Sequence, residues 1–142
     1  QKVDMIVIFY DLQDYMGKRI VYDADNDKNI NSLCGALNAS IKLIQETWPH
    51  IRIVVLSAPY GTYTDGDGTQ VDPDRDDFGH GTLADYLNWQ VQICCTNGVS
   101  VIDNYYGTIT MEDTDCLVDG YHLNQKGRER IAKRFAKALN PD

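Results

Sequence analysis

An aspartate three residues ahead of a histidine, in Asp119-Gly120-Tyr121-His122, is where residue type and spacing together point most directly to acid–base chemistry. A carboxylate so placed on a tight turn can accept the imidazole N–H. That contact fixes the tautomer, leaves the other ring nitrogen free to take a proton, and stabilises the imidazolium that forms. Gly120 lets the chain turn, and Asn124 stands where the following helix needs a cap. Alone the pattern is weak, because a histidine near a helix start is more often a surface or capping residue.

The other candidates for chemistry are incomplete. Gly79-His80-Gly81-Thr82 resembles the histidine block of subtilisin-like proteases, but no Gly-Thr-Ser block follows, so His80 reads as a loop residue. Asp23, Asp25 and Asp27 occupy positions 1, 3 and 5 of a calcium loop, yet Lys28 stands at the glycine position and Cys34 at the final glutamate position. Asp65 and Asp67, followed by Asp72, Asp74 and Asp76, are similarly incomplete, so both stretches read as solvated acidic loops. His50 follows Pro49 at a helix-to-strand turn and reads as structural. Cys34, Cys94, Cys95 and Cys116 lack zinc-ligand spacing and read as mostly buried thiols. No metal and no cofactor is expected.

The elements that must position Asp119 and His122 follow from periodicity. Val3 to Tyr10 is a near-continuous apolar run, the pattern of a strand covered on both faces of a parallel sheet. Leu33, Leu37, Ile41, Ile44 and Trp48 predict a helix from about 31 to 48, stopped by Pro49. Ile51 to Ser57 is a second buried strand, closed by the turn signal Ala58-Pro59-Tyr60-Gly61. Residues 61–81, with five Gly and six Asp, read as a polar loop. A helix from about 82 to 96 ends at Gly98, Val99 to Asp103 is a third strand, and Ile131, Phe135 and Leu139 mark the inner stripe of a last helix. Strands alternating with helices imply an α/β fold with a parallel sheet and right-handed crossovers. Ligand sites in such folds lie at the carboxyl ends of the strands.

In that setting Asp119, Gly120, His122, Asn124 and Gly127, just before the last helix, resemble the final block of SGNH (GDSL-type) hydrolases, D-G-x-H-x-N-x-x-G. Val3 to Phe9 resembles the strand leading into that family's G-x-N-D block, Ile53 to Pro59 its next strand and loop, and Gly81 to Tyr86 the opening of the following helix. The flavour is closest to members carried on phage tail or surface proteins. The resemblance implies one domain over residues 1–142 with a flavodoxin-like three-layer α/β/α fold. It also implies that the N-terminal strand–helix unit with the Gly-Asp-Ser block lies outside these residues.

The implied chemistry is ester hydrolysis by a Ser-His-Asp triad, with His122 as general base and Asp119 as its orienting partner. In place of G-x-N-D the chain has Asp11-Leu12-Gln13-Asp14, so Gln13 takes the place of the oxyanion-hole Asn. Its amide sits one methylene further out, and a well-placed donor is worth about 3–4 kcal/mol of transition-state stabilisation. Asp11 would oppose an oxyanion if it pointed inward. Ser32, Ser40, Ser57 and Ser100 all lack a Gly-Asp-Ser setting, so the serine is expected from an upstream segment or a partner chain that also covers the bare edge of the first strand. A silent module of the same fold, binding glycans or serving assembly, is the competing expectation.

Tyr60, Tyr63, Tyr105, Tyr106 and Tyr121 fall in loops at the carboxyl ends of strands, where flat rings with polar tips suit sugar rings or acyl chains, or simply pack the loops. Tyr60, Tyr121 and Asp14 are the candidate substrate contacts, and the expected substrate is an ester-bearing carbohydrate or lipid. A formal charge of −8 argues against a nucleic-acid partner. The apolar run from Met5 to Tyr10 is too short to span a bilayer. An extracellular or virion-associated setting is expected.

Overall fold

The computed structural model describes residues 4–10, 12–105, 109 and 113–140. Asp11 and Tyr106, both singled out from the sequence, lie outside the described residues, as does Val3. In chain order the elements are β1 (Met5–Phe9), α1 (Gln13–Met16), α2 (Leu33–Thr47), β2 (Arg52–Leu56), β3 (Tyr63–Thr64) and β4 (Gln70–Val71). Then come α3 (Leu83–Thr96), β5 (Ser100–Ile102), a 3-10 turn (Thr114–Cys116) and α4 (Gln125–Leu139).

The apolar runs form the parallel sheet that their composition predicts. β1 pairs with β2 from Met5 opposite Arg52 to Phe9 opposite Leu56, and β2 pairs with β5 from Val54 opposite Ser100, giving the order β1-β2-β5. Parallel neighbours need crossovers, and α2 and α3 supply them. Side chains alternate across β2. Ile53 and Val55 pack with Leu37 and Ile41 of α2 and Cys94 of α3, while Val54 and Leu56 pack with Ile131, Phe135 and Leu139 of α4. The result is a three-layer α/β/α arrangement with β2 covered on both faces, the physical reason its sequence is a continuous apolar run.

β1 is covered less completely. Tyr10 N donates to Leu56 O (3.0 Å) and Arg52 N to Asp4 O (3.4 Å). Even-numbered residues of β1 therefore bond to β2, and the backbone groups of Met5, Val7 and Phe9 face the outer edge. Among the described residues no strand pairs along that edge. Val7 and Phe9 are exposed on the α4 side, at 41% and 46%. No helix among the described residues is long and apolar enough to cross a membrane.

Helix limits follow local chemistry. Ser32 caps α2, accepting from Gly35 N at 3.0 Å. At α3 the Thr82 N–H donates to Asp85 Oδ2 at 2.8 Å, half of a capping box. Gly98 ends α3 at φ +68°.

The stretch read as a polar loop is more ordered than its composition suggests. It holds the antiparallel hairpin β3–β4, whose Tyr63 and Val71 are buried with Leu12 and Tyr15 in the core. Tyr105 is buried in the same cluster, so Tyr63 and Tyr105 pack the interior instead of offering faces to a ligand. The aspartates of the acidic stretches build turns: Asp23 Oδ1 accepts the N–H of Asp25, Asp65 Oδ1 those of Asp67 and Thr69, and Asp77 Oδ1 those of Gly79 and Gly81.

Candidate active site

The turn carrying Asp119 and His122 is closed largely by contacts among its own residues. Leu117 and Leu123 form an antiparallel bridge, and Val118 N donates to His122 O at 2.7 Å, closing the base of the turn. Asp119 Oδ1 accepts the backbone N–H of His122 (2.9 Å) and of Tyr121 (3.3 Å), which holds the carboxylate over the turn. Its other oxygen, Oδ2, lies 2.6 Å from His122 Nδ1. Asn124 then starts α4, its Oδ1 accepting from Gly127 N at 3.0 Å and its Nδ2 donating to Asp115 O at 2.6 Å.

These donors hold the Asp119 carboxyl down at about 2, chiefly through the His122 side-chain hydrogen bond and next through the His122 backbone N–H. The carboxylate is thus ionised at any ordinary pH. With Nδ1 committed to it, the neutral imidazole presents Nε2 as an acceptor, the arrangement a general base requires. Both side chains are about half exposed, 55% for His122 and 45% for Asp119, so solvent screens the pair and its value is orientation more than stability.

Gly61 and Thr62, which the sequence presented only as the end of a turn, fasten this turn to the sheet. Thr62 N donates to Gly120 O at 2.8 Å. Gly120 sits at φ +100°, and a Cβ there would lie 2.5 Å from Thr62 O. A Cβ on Gly61 would lie 2.7 Å from Tyr121 Cβ. Two glycines therefore let the segment following β2 press against the Asp119–His122 turn. The Ala58-Pro59-Tyr60-Gly61 signal marked one half of this clamp, but nothing local announced its partner.

Beside His122 opens an apolar cavity of about 440 Å³. Its walls are Phe9 of β1, Leu12, Leu56 of β2, Pro59, and the Arg128, Ile131, Ala132 and Phe135 face of α4, with Tyr121, His122 and Leu123 at one end. Leu12 reaches it, whereas its neighbour Gln13 does not line it and is exposed at the start of α1. Asp14 pairs with Arg19 at 3.1 Å. Tyr60 is half-buried against the core cluster that holds Tyr63 and Tyr105, its hydroxyl pushed up by burial and then by Asp72 and Asp74. Of the candidate residues, the structure brings Asp119, His122 and Tyr121 together and leaves Tyr60 and Asp14 in other contacts.

None of the four serines lines the cavity. Ser32 is the α2 cap. Ser40 donates within α2 to Ala36 O. Ser57, at the carboxyl end of β2, is buried, donates to Asp103 Oδ1 (3.1 Å) and accepts from Asn104 N (2.8 Å), so its hydroxyl is a staple between β2 and the end of β5. Ser100 lies within β5.

No family model and no curated protein matches the sequence. Solved structures do match the fold. A protein from Lactobacillus plantarum aligns at TM-score 0.83 with 20% identity, over 99% of this chain and 68% of its own length. A possible lipase from Chitinophaga pinensis aligns at 0.75 with 17% identity, over 99% and 73%. The lipase/acylhydrolase from Enterococcus faecalis aligns at 0.57 with 16% identity, over 96% and 60%. In a further solved structure, at TM-score 0.84 and 22% identity, the chain spans 64% of the length. Between 27% and 40% of each of these proteins thus has no counterpart in this chain. With GDSL-like lipases among the structures it matches, the chain has the α/β/α fold of SGNH (GDSL-type) hydrolases.

Proposed function

We propose that this domain hydrolyses esters, with His122 as general base, Asp119 as its orienting carboxylate, and a serine supplied from outside these residues. The observation that carries the reading is the 2.6 Å contact between Asp119 Oδ2 and His122 Nδ1 on a turn that leaves Nε2 unencumbered. In the reaction His122 Nε2 takes the proton of the serine hydroxyl as its oxygen attacks the acyl carbonyl. It returns that proton to the departing alcohol. A water then attacks the acyl-serine, again giving its proton to Nε2, and the acid leaves as the serine is restored. Gln13, expected from the sequence as the oxyanion donor, lies outside the cavity beside His122 and is assigned no contact there.

The serine's route of arrival has physical support. A strand added parallel to β1 on its outer edge would end, like β1, beside Phe9, and Phe9 lines the same cavity as His122. A helix following that strand would cover Val7 and Phe9 and fill the apolar cavity against α4. The third or so of two matched structures that has no counterpart here is enough chain for such a unit. The half-exposed pair suits an acyl group carried on a bulky alcohol, and we place O-acetylated carbohydrate first among substrates.

The test is turnover of p-nitrophenyl acetate and of acetylated polysaccharide by the full-length protein and its His122→Ala variant. A loss of about 10⁴-fold or more is expected. Equal turnover by the two would overturn the mechanism. Absence of turnover in the unaltered protein, with retained glycan binding, would favour a silent module.

A further inference from the structure

Asp119 contacts one nitrogen of His122 but not the face of its ring, and the side chain is about half exposed. What meets the face of the ring is Tyr121, its centroid 4.1 Å from that of the imidazole with the planes 36° apart. Tyr121 is half-buried and edge-on to Tyr63 (6.2 Å, 70°), Tyr63 is buried and edge-on to Tyr15 (6.4 Å, 80°), and Tyr15 is edge-on to Tyr86 of α3 (5.7 Å, 75°). Tyr86 is itself tied by its hydroxyl to Arg19 O at 2.8 Å. A file of edge-to-face rings, the arrangement aromatic pairs prefer, therefore runs from a core helix to the exposed imidazole.

We infer that Tyr121 is a positioning residue, whose ring is the shelf that sets the plane of the His122 imidazole. The ring meets the imidazole face and leaves the Asp119 contact to Nδ1 intact. The charged groups facing His122 are Asp119 on its own turn and Arg128 of α4, which lines the same cavity and donates to Leu123 O at 3.0 Å. Neither is altered by exchanging the ring at 121. The consequence for catalysis rests on the proposed role of His122, but the shelf itself is tested without turnover.

The experiment is an NMR measurement of the His122 χ1 couplings and imidazole ring-current shifts in the unaltered protein, Tyr121→Phe and Tyr121→Leu, with the Asp119 carboxyl followed as a control. Tyr121→Phe is expected to keep both the couplings of a single rotamer and the ring-current shift. Tyr121→Leu is expected to lose that shift and to average the couplings over several rotamers, with the Asp119 carboxyl still titrating at about 2. Should the leucine variant not fold, Tyr121→Met, closer in volume, serves the same purpose. Unchanged χ1 couplings in the leucine or methionine variant, or a phenylalanine variant that behaves like leucine, overturn the inference. In full-length protein shown to be active, Tyr121→Leu is expected to lower kcat at constant KM. A raised KM at constant kcat would instead make Tyr121 a substrate contact.

Discussion

Replacing Gly120 by alanine tests the clamp that holds the Asp119–His122 turn. At φ +100° any side chain is strained, and the new Cβ would lie 2.5 Å from Thr62 O, a backbone atom that cannot rotate away. Strain at such a φ is worth about 1–3 kcal/mol, and overpacking costs about 1–3 kcal/mol. One backbone shift relieves part of both, so the two do not add. The turn has a cheaper escape: it can lift off, giving up the 2.8 Å Thr62–Gly120 hydrogen bond, worth about 1 kcal/mol, and the Tyr121–Tyr63 ring contact, worth about 1 kcal/mol. Lifting relieves the clash but not the φ, so about 1 kcal/mol of backbone strain adds to the about 2 kcal/mol of lost contacts; about 3 kcal/mol in all lowers Tm by about 12 °C for a chain of this length. Gly98→Ala is the control, because Gly98 also has positive φ (+68°) but no atom within 4 Å of a Cβ; it should cost about 1 kcal/mol from strain alone. Urea unfolding of both variants decides the matter. If Gly120→Ala unfolds at the same urea concentration as Gly98→Ala, the close approach of Thr62 is not what holds the turn.

Three further outcomes are expected. Ser57→Ala should cost about 1–3 kcal/mol in chemical unfolding, since it strands the buried N–H of Asn104, while leaving esterase turnover of the full-length protein intact; abolished turnover in a folded variant would make Ser57 the nucleophile. The Asp119 carboxyl, held at about 2 in the folded chain against an ordinary 3.8, contributes fully above about 3.8 and loses that contribution as pH falls through about 2, so its ¹³C titration should centre near 2, and a midpoint near 4 would show that the His122 contact does not persist in solution. At pH 8 a thiol reagent should modify the exposed Cys95 quickly and the buried Cys34 and Cys94, whose thiols burial pushes up to about 11, only on unfolding; rapid modification located at Cys34 or Cys94 by peptide mapping would contradict their burial.

The features legible in the sequence are those written in neighbouring residues. Asp119 and His122 meet because they are three apart on a turn whose carboxylate also accepts two backbone N–H groups, all within Asp119–His122. β2 was readable because burial on both faces leaves no room for polar alternation. The hairpin β3–β4 escaped for the converse reason. Strands of two residues show no period, and the Gly and Asp around them are turn formers whatever the turn encloses. What buries Tyr63 and Val71 is contact with Leu12 and Tyr15, some fifty residues away. α1, at four residues, is likewise too short to show a helical stripe. The Thr62–Gly120 clamp joins two segments that each looked like an ordinary turn.

The supports of the proposed triad are separable. The Asp–His couple depends on the Leu117–Leu123 bridge, the Asn124 cap and the Gly61–Thr62 clamp, all within residues described here. The position of a nucleophile would depend on a different surface, the outer edge of β1, and on the apolar cavity between Phe9 and α4. A base assembled by a local turn can hold its geometry whether or not that edge is covered, so its titration reports on the couple alone. Turnover reports on the couple and the edge together. An exposed strand edge beside an apolar cavity is also the feature most prone to pair with another chain. Covering it would bury Val7, Phe9 and the cavity wall, and under the proposed mechanism the same contact would carry the serine to His122.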